Sequence, residues 1–311
     1  KCGNSLIGPD FYGEMLLKTL DDDERRRINV FEWEKEFPEI MQGGGFDVVI
    51  GNPPYIRIQV MQEWAPLEVE YYKRCYISAA KGNYDIYVVF VERGLSFLNK
   101  TGLLGFILPH KFFNAQYGEP LRGLIAKGRY LAEAVHFGDQ QIFAGATTYT
   151  CLMFLNKGGS DAMQLSRVAD LGAWRTGGEA QVLDVAAAKI TQADWNFAAG
   201  AGGELFERLV AMPSKLGDIA EKIAQGIRTS ANEVYVLGVV AEQGEIITAT
   251  SKQLGRDVKL ERAAVSAFLQ GREIKPYRVL PSGKVALMPY RMEQGRARLI
   301  AESEYRRTWP K

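Results

Sequence analysis

The stretch FDVVIGNPPY (46–55) decides the reading of this chain. FDVVI (46–50) is apolar, β-branched and preceded by the turn-forming GGG at 43–45, which predicts a buried parallel strand. GNPPY (51–55) then stops it, because two consecutive prolines can continue neither a strand nor a helix. The prolines lack N–H groups and leave outward carbonyls, Asn52 adds a side-chain carbonyl, and Tyr55 adds a broad ring. Together they form a rigid nest of acceptors for an amino group, beside a face on which a planar base can stack.

Working outward, YDIYVVFVERGLSFLNK (84–100) reads as a well-buried helix and LLGFILP (103–109) as a core strand. A helix around EPLRGLIAKG (119–128), a strand LAEAVHF (131–137), a loop (138–146) and a strand TYTCLMFLN (148–156) follow. This alternation is that of an open doubly wound α/β sheet, in which ligands bind at the carboxyl ends of strands, after Ile50, Leu108 and Phe137. Upstream, DDDERRRINVFEWEKEF (21–37) reads as a solvated connector. From Lys157 to about Gly203 the chain turns Gly- and Ala-rich and periodicity is lost, so 161–204 is expected to be an irregular linker. Residues 1–160 form the first unit on this reading, and 205–311 a second unit with short strands such as VYVLGVV (234–240) and KVALMPY (284–290).

Composition bounds the alternatives. With 311 residues, 47% hydrophobic and 24% charged, two globular domains are the natural expectation. The net charge of +1 is unevenly divided: residues 1–210 hold 21 Lys+Arg against 26 Asp+Glu, a net of −5, and the remainder 17 against 11, a net of +6. Cys2, Cys75 and Cys151 are far apart, which supports neither a disulfide framework nor a zinc cluster and fits a reducing, cytoplasmic setting. No uncharged apolar run reaches the ~18–20 residues of a membrane span, and KCGNSLIGPDF lacks the plan of a signal peptide. A start on Lys and an end at RRTWPK suggest a piece of a longer protein.

The tetrad Asn52-Pro53-Pro54-Tyr55 resembles the catalytic motif [DNS]-P-P-[YFW] of the adenine-N6 DNA methyltransferases, specifically the Taq-like and Eco57I-like restriction-modification enzymes. The surroundings are similar in order and spacing. CGNSL (2–6) looks like the segment after the third strand, where the family's adenine-binding polar residue, often Asp, corresponds to Asn4. GNYDIYVVF (82–90) and GLLGFILPHKFF (102–113) resemble the helix and strand that come after the catalytic loop. HFGDQQIFAGATTYTCLMFL (136–155) resembles the region that closes the base pocket, with Phe143 as the second aromatic slab. Phe137 falls inside a strand and reads as core. IAQGIRTSANEVYVL (223–237) and LQGREIKPYRV (269–279) resemble pieces of the family's target-recognition domain.

The resemblance implies an incomplete Rossmann-like methyltransferase sheet followed by a smaller α+β target-recognition domain, both cut at their outer ends. It also implies methyl transfer from S-adenosylmethionine to N6 of an adenine flipped out of duplex DNA. Asn52 and the Pro53 carbonyl would accept the amino hydrogens, while Tyr55 and Phe143 sandwich the base. Lys111, Arg228, Arg272 and Lys275 are the candidate DNA contacts. The tetrad brings no general base, since His110 and His136 lie outside it; Asp47 reads as structural and Asp85 as a helix-start residue, with a role near the pocket as its alternative. The family's Gly-containing cofactor loop and its ribose-binding acid have no match here. The chain as given is therefore expected to lack tight cofactor binding and activity. An endonuclease domain or subunit in the parent, or a catalytically silent DNA-binding role in phage defence, remain alternatives.

Overall fold

The computed structural model describes residues 2–14, 20–143, 149–197, 205, 208–223, 229–293 and 296–310, in two units, Lys1–Met212 and Pro213–Lys311. The first is built on a six-stranded mixed sheet: β1 (Phe46–Gly51), β2 (Leu98–Pro109), β3 (Leu131–His136), β4 (Thr150–Asn156), β5 (Ala162–Arg167) and β6 (Gln181–Ala186). Their spatial order is β1-β2-β4-β3-β5-β6. β1 and β2 are parallel, with Val49 opposite Leu104 and Gly51 opposite Phe106. β4 runs antiparallel to both β2 and β3, while β3 and β5 are parallel and β5 and β6 antiparallel.

The crossover from β1 to β2 carries the helix Tyr87–Phe97, which buries Tyr87, Val88, Val89, Val91, Leu95 and Phe97. A parallel pair needs such a crossover, and an apolar helix covers the face of the sheet it spans. Gly94 permits the close approach, because a Cβ there would lie 2.6 Å from Leu104 Cδ1. The turn into β1 passes through Gly45 at φ 116°, where a Cβ would meet the Phe97 carbonyl at 2.4 Å.

Two expectations change. β1 is parallel to β2 but is not buried: it forms the edge of the described sheet, leaving Val48 50% and Ile50 83% exposed. A run apolar on both faces is covered only when neighbours flank it, and here β2 is its one partner. The stretch read as an irregular linker supplies β5 and β6, which extend the sheet, and the division between units falls after Met212. Short alternating strands among glycines carry too weak a period to register in the sequence.

The second unit is a smaller antiparallel sheet with short helices. Its strands are β7 (Val236–Gln243), β8 (Ile246–Ser251), β9 (Arg256–Glu261), β10 (Val265–Ala267), β11 (Ile274–Lys275), β12 (Arg278–Val279), β13 (Lys284–Leu287), β14 (Tyr290–Glu293) and β15 (Arg296–Leu299). Five of them pair in the order β10-β13-β7-β8-β9, and β11-β12 and β14-β15 form separate two-stranded ribbons. The core here is small, centred on Leu237, Ile247, Ala249 and Val285.

Candidate active site

The tetrad leaves the carboxyl end of β1 as a suspended loop with both ends fixed. On one side is the β1–β2 ladder. On the other, Ile58 N–H donates to the Tyr84 carbonyl and Ile86 N–H to the Ile56 carbonyl, both at 2.9 Å, around an antiparallel bridge between Arg57 and Asp85. Pro53 is buried, Tyr55 half-buried, and Asn52 and Pro54 exposed. The Asn52 amide has no hydrogen-bond partner among the described residues, so its acceptor stays available on a backbone that two prolines hold stiff.

Tyr55 is held in place more firmly than its exposure suggests. Its hydroxyl donates to the Ile107 carbonyl on β2 at 3.2 Å, and its ring meets Tyr87 edge-on at 6.4 Å and 82°. Burial, with a smaller contribution from Cys151, pushes the hydroxyl up to about 12, so it stays a neutral donor. Behind it, the Tyr87 and Tyr117 hydroxyls pair at 2.8 Å. Beside the tetrad lies a cleft of about 250 Å³, whose lining includes Asn52, Pro53 and Pro54 together with Leu6, Trp33 and Phe97. Trp33 and Phe97 sit 4.2 Å apart between centroids, and Trp33 Nε1 donates to the Ser5 carbonyl at 3.2 Å.

Polar groups gather at the same end of the sheet. Asp85 precedes the helix Tyr87–Phe97 without capping it by its side chain; burial raises its pKa, while Lys111, Arg57 and a hydrogen bond with Tyr117 act in the opposite direction. It is therefore a half-buried carboxyl with Lys111 and Arg57 nearby, beside the tetrad loop, and it does not cap the helix with its side chain. His110 and His136, at the exits of β2 and β3, have ring centroids 4.4 Å apart. Burial lowers both, His136 to about 4, where His110 and Arg167 add to the effect. Both rings are neutral at pH 7.

The sequence-predicted residues meet different fates. Asn52, Pro53 and Pro54 share the cleft wall, and Tyr55 stands directly after them. Asn4 does not line that cleft, although its neighbours Ser5 and Leu6 do; its side-chain oxygen accepts from Leu6 N–H at 3.2 Å. Phe143 is 38% exposed, and no ring contact joins it to Tyr55 among the described residues. Lys111 is exposed on the short helix His110–Phe113, near Asp85. Arg272 is 67% exposed, and its Nε donates to Glu273 Oε1 at 2.7 Å. Lys275 is exposed, and Arg228 lies outside the described residues. Sequence reasoning missed Arg57, whose only signal is its place two residues after Tyr55. It also missed Arg122, whose lone charge in an apolar helix face was the available clue.

Residues 4–143 match the family model of the Eco57I restriction-modification methylase. That segment is Eco57I-like methylase sequence. Over 279 residues, 86% of its length, the chain is 30% identical to the Escherichia coli "Type II restriction enzyme and methyltransferase RM.Eco57I". Over 124 residues, 40% of its length, it is 35% identical to the Pseudomonas aeruginosa "Type II methyltransferase M.PaeR7I". The chain spans 27% and 21% of those two relatives. Among solved structures, the type IIG restriction endonuclease BpuSI aligns with 54% of the chain and 22% of its own length, at 12% identity and a TM-score of 0.39, an overlap too partial to carry weight. The Eco57I-like match contains the whole tetrad and its bridge to Asp85, and it stops at Phe143.

Proposed function

We propose that this protein is a site-specific DNA methyltransferase that modifies the N6 amino group of an adenine turned out of duplex DNA, within a restriction-modification system of the bacterial or archaeal cytoplasm. One observation carries the reading: an uncommitted Asn52 amide and a stiff Pro53 carbonyl stand at a strand's carboxyl end, beside a phenol ring pinned by its hydroxyl, inside Eco57I-like sequence.

The exocyclic nitrogen of adenine is a poor nucleophile because its lone pair is delocalised into the ring. Its two hydrogens can be accepted by Asn52 Oδ1 and the Pro53 carbonyl. That pair of bonds favours a pyramidal nitrogen and localises the lone pair for methylation. The tetrad is rigid before the base arrives, so little reorganisation remains to be done at the reacting centre. Tyr55 offers the stacking wall, and stacking of this kind contributes about 1–3 kcal/mol per base. Lys111 and Lys275 are the cations this reading assigns to phosphates, with Phe143 as the facing slab.

S-adenosylmethionine is the methyl donor this reading requires. The cleft beside the tetrad has the apolar and aromatic wall that a nucleoside ring needs. At about 250 Å³ it is smaller than the ~300–1,000 Å³ usual for such ligands, and no carboxylate lines it to hold ribose hydroxyls. The described residues thus do not fit the whole cofactor by themselves, and the chemistry assigned to them is confined to the acceptor amine.

The test is base-resolution mapping of adenine methylation in cells expressing the complete gene product that carries this chain, beside its Asn52→Ala form. A recurrent methylated motif with the unaltered protein alone supports the proposal. Absence of methylation in both, with soluble DNA-binding protein, refutes it.

A further inference from the structure

The ribbon β11–β12 carries three features that each cost the isolated fold something. Ile274 pairs with Val279 and Lys275 with Arg278, which leaves Pro276 and Tyr277 as a two-residue turn. Tyr277 sits at φ 60°, in the left-handed region, where a bulky side chain is strained. The residue is fully exposed, at 108%, so no packing offsets that strain. Lys275 and Arg278 are directly opposite one another, a like-charge pairing that weakens an antiparallel ribbon, and neither makes an ion pair among the described residues. The other face presents Ile274 and Val279, each 60% exposed.

The base of the ribbon, by contrast, is firmly built. Glu273 is buried, receives Gln270 N–H and Arg272 Nε at 2.7 Å each, and its carbonyl accepts from Leu280 N–H at 2.8 Å. The result is an anchored stem that holds a strained tyrosine and two crowded cations out into solvent. Such strain persists where the surroundings over-determine it and a partner makes use of it.

We infer that this ribbon enters the major groove of duplex DNA, with the Tyr277 ring against base edges at the apex and Lys275 and Arg278 on the flanking phosphates. The inference rests on the DNA-methyltransferase reading and extends it to a named recognition element. Charge complementarity selects the occupant. The unit that carries the ribbon has a net charge of +6, 17 Lys+Arg against 11 Asp+Glu, and phosphates relieve the opposed Lys275–Arg278 pair. Size agrees, since a two-stranded β-ribbon is one of the elements the major groove admits.

The experiment compares the complete protein with its Tyr277→Gly, Tyr277→Phe and Lys275→Ala forms on a 30-base-pair duplex containing the methylated motif, at two salt concentrations. Glycine relieves the positive φ and removes the ring. Tyr277→Gly is expected to raise the thermal midpoint while weakening DNA binding about tenfold, the size of one lost base-edge contact, with the loss in KM for DNA rather than in kcat and an unchanged salt slope. Tyr277→Phe keeps most of the affinity, and Lys275→Ala lowers the salt slope by about one. Equal affinity of Tyr277→Gly and wild type, in a protein that still methylates through Asn52, overturns this inference and leaves the enzymatic reading intact. A wild-type protein that binds no duplex, or binds an acidic protein surface in its place, overturns it as well. In that case the loss of Asn52-dependent methylation shows that the enzymatic reading has fallen too.

Discussion

Replacing Arg122 by alanine should unfasten the segment after β2. The Arg122 side chain is 2% exposed and sits in the helix Glu119–Lys127. Its Nη1 donates to the Phe112 carbonyl at 2.6 Å and the Ala115 carbonyl at 2.8 Å, and Nε to the Gln192 carbonyl at 3.0 Å. Nη2 pairs with Asp194 Oδ1 at 2.8 Å. One guanidinium therefore ties the turn carrying Lys111 to the segment ahead of Trp195. Hydrogen bonds to a charged group contribute about 1.5–3 kcal/mol each, and they are not additive because water reaches the carbonyls once the side chain is gone. Of the four acceptors, Asp194 is 64% exposed and its ion pair is worth at most ~1 kcal/mol. The three carbonyls carry the rest, so Arg122→Ala should cost about 3–5 kcal/mol. In a unit of this size that is a fall in Tm of roughly 10 °C or more. Thermal and urea unfolding, followed by circular dichroism, measure it, with Asp194→Ala as the comparison. An Arg122→Ala loss under about 1 kcal/mol, or an Asp194→Ala loss as large as that of Arg122→Ala, would refute the assignment of the load to the carbonyls.

The same geometry sets further outcomes. Asn52→Ala should lower methylation by at least about 10²–10³-fold, as loss of a polar group aimed at developing charge does elsewhere, while circular dichroism and duplex affinity hold, because Asn52 is exposed. Tyr55→Phe loses only the bond to Ile107 and should retain most activity, whereas Tyr55→Ala loses the stacking wall and should raise KM for DNA; steady-state kinetics separate the two. Folded His136 titrates near 4 against about 6.5 unfolded, so its contribution is present above pH 6.5 and is lost as pH falls from there through 4. Unfolding free energies from urea titrations should drop between pH 7 and 4.5 by up to ~2 kcal/mol after allowance for solvent screening, and a His136→Asn form should show a flatter profile. Tyr55 has its folded pKa raised, so its stabilisation is complete below about pH 10 and fades toward 12; methylation should show no break from this hydroxyl between pH 7 and 9.

The tetrad loop was legible because its sequence signal is local. Asn52, Pro53, Pro54 and Tyr55 are adjacent, and two prolines fix their own backbone whatever surrounds them. The parallel β1–β2 pairing followed from an apolar strand, an apolar helix and a second apolar strand in succession. β5 and β6 were missed because their short alternating runs are embedded in glycine-rich sequence, and only the pairing of β5 with β3 and of β6 with β5 reveals them as strands. Arg57 and Asp85 come together through a bridge across 28 positions, and Arg122 reaches Asp194 across 72, separations that no local pattern announces.

The chain by itself thus determined which acceptor groups stand together in the tetrad, the stiffness of the loop that bears them and the basic charge of its C-terminal third. These depend on covalent geometry and residue type alone. Only the tertiary structure decided that β1 stands at a sheet edge, that the Tyr55 hydroxyl is fastened to β2, that Arg272 is held by Glu273 and that Tyr277 stands free at a strained apex. Each of those depends on which distant backbone or side chain comes within about 3 Å, and that distance is set by packing rather than by neighbours along the chain.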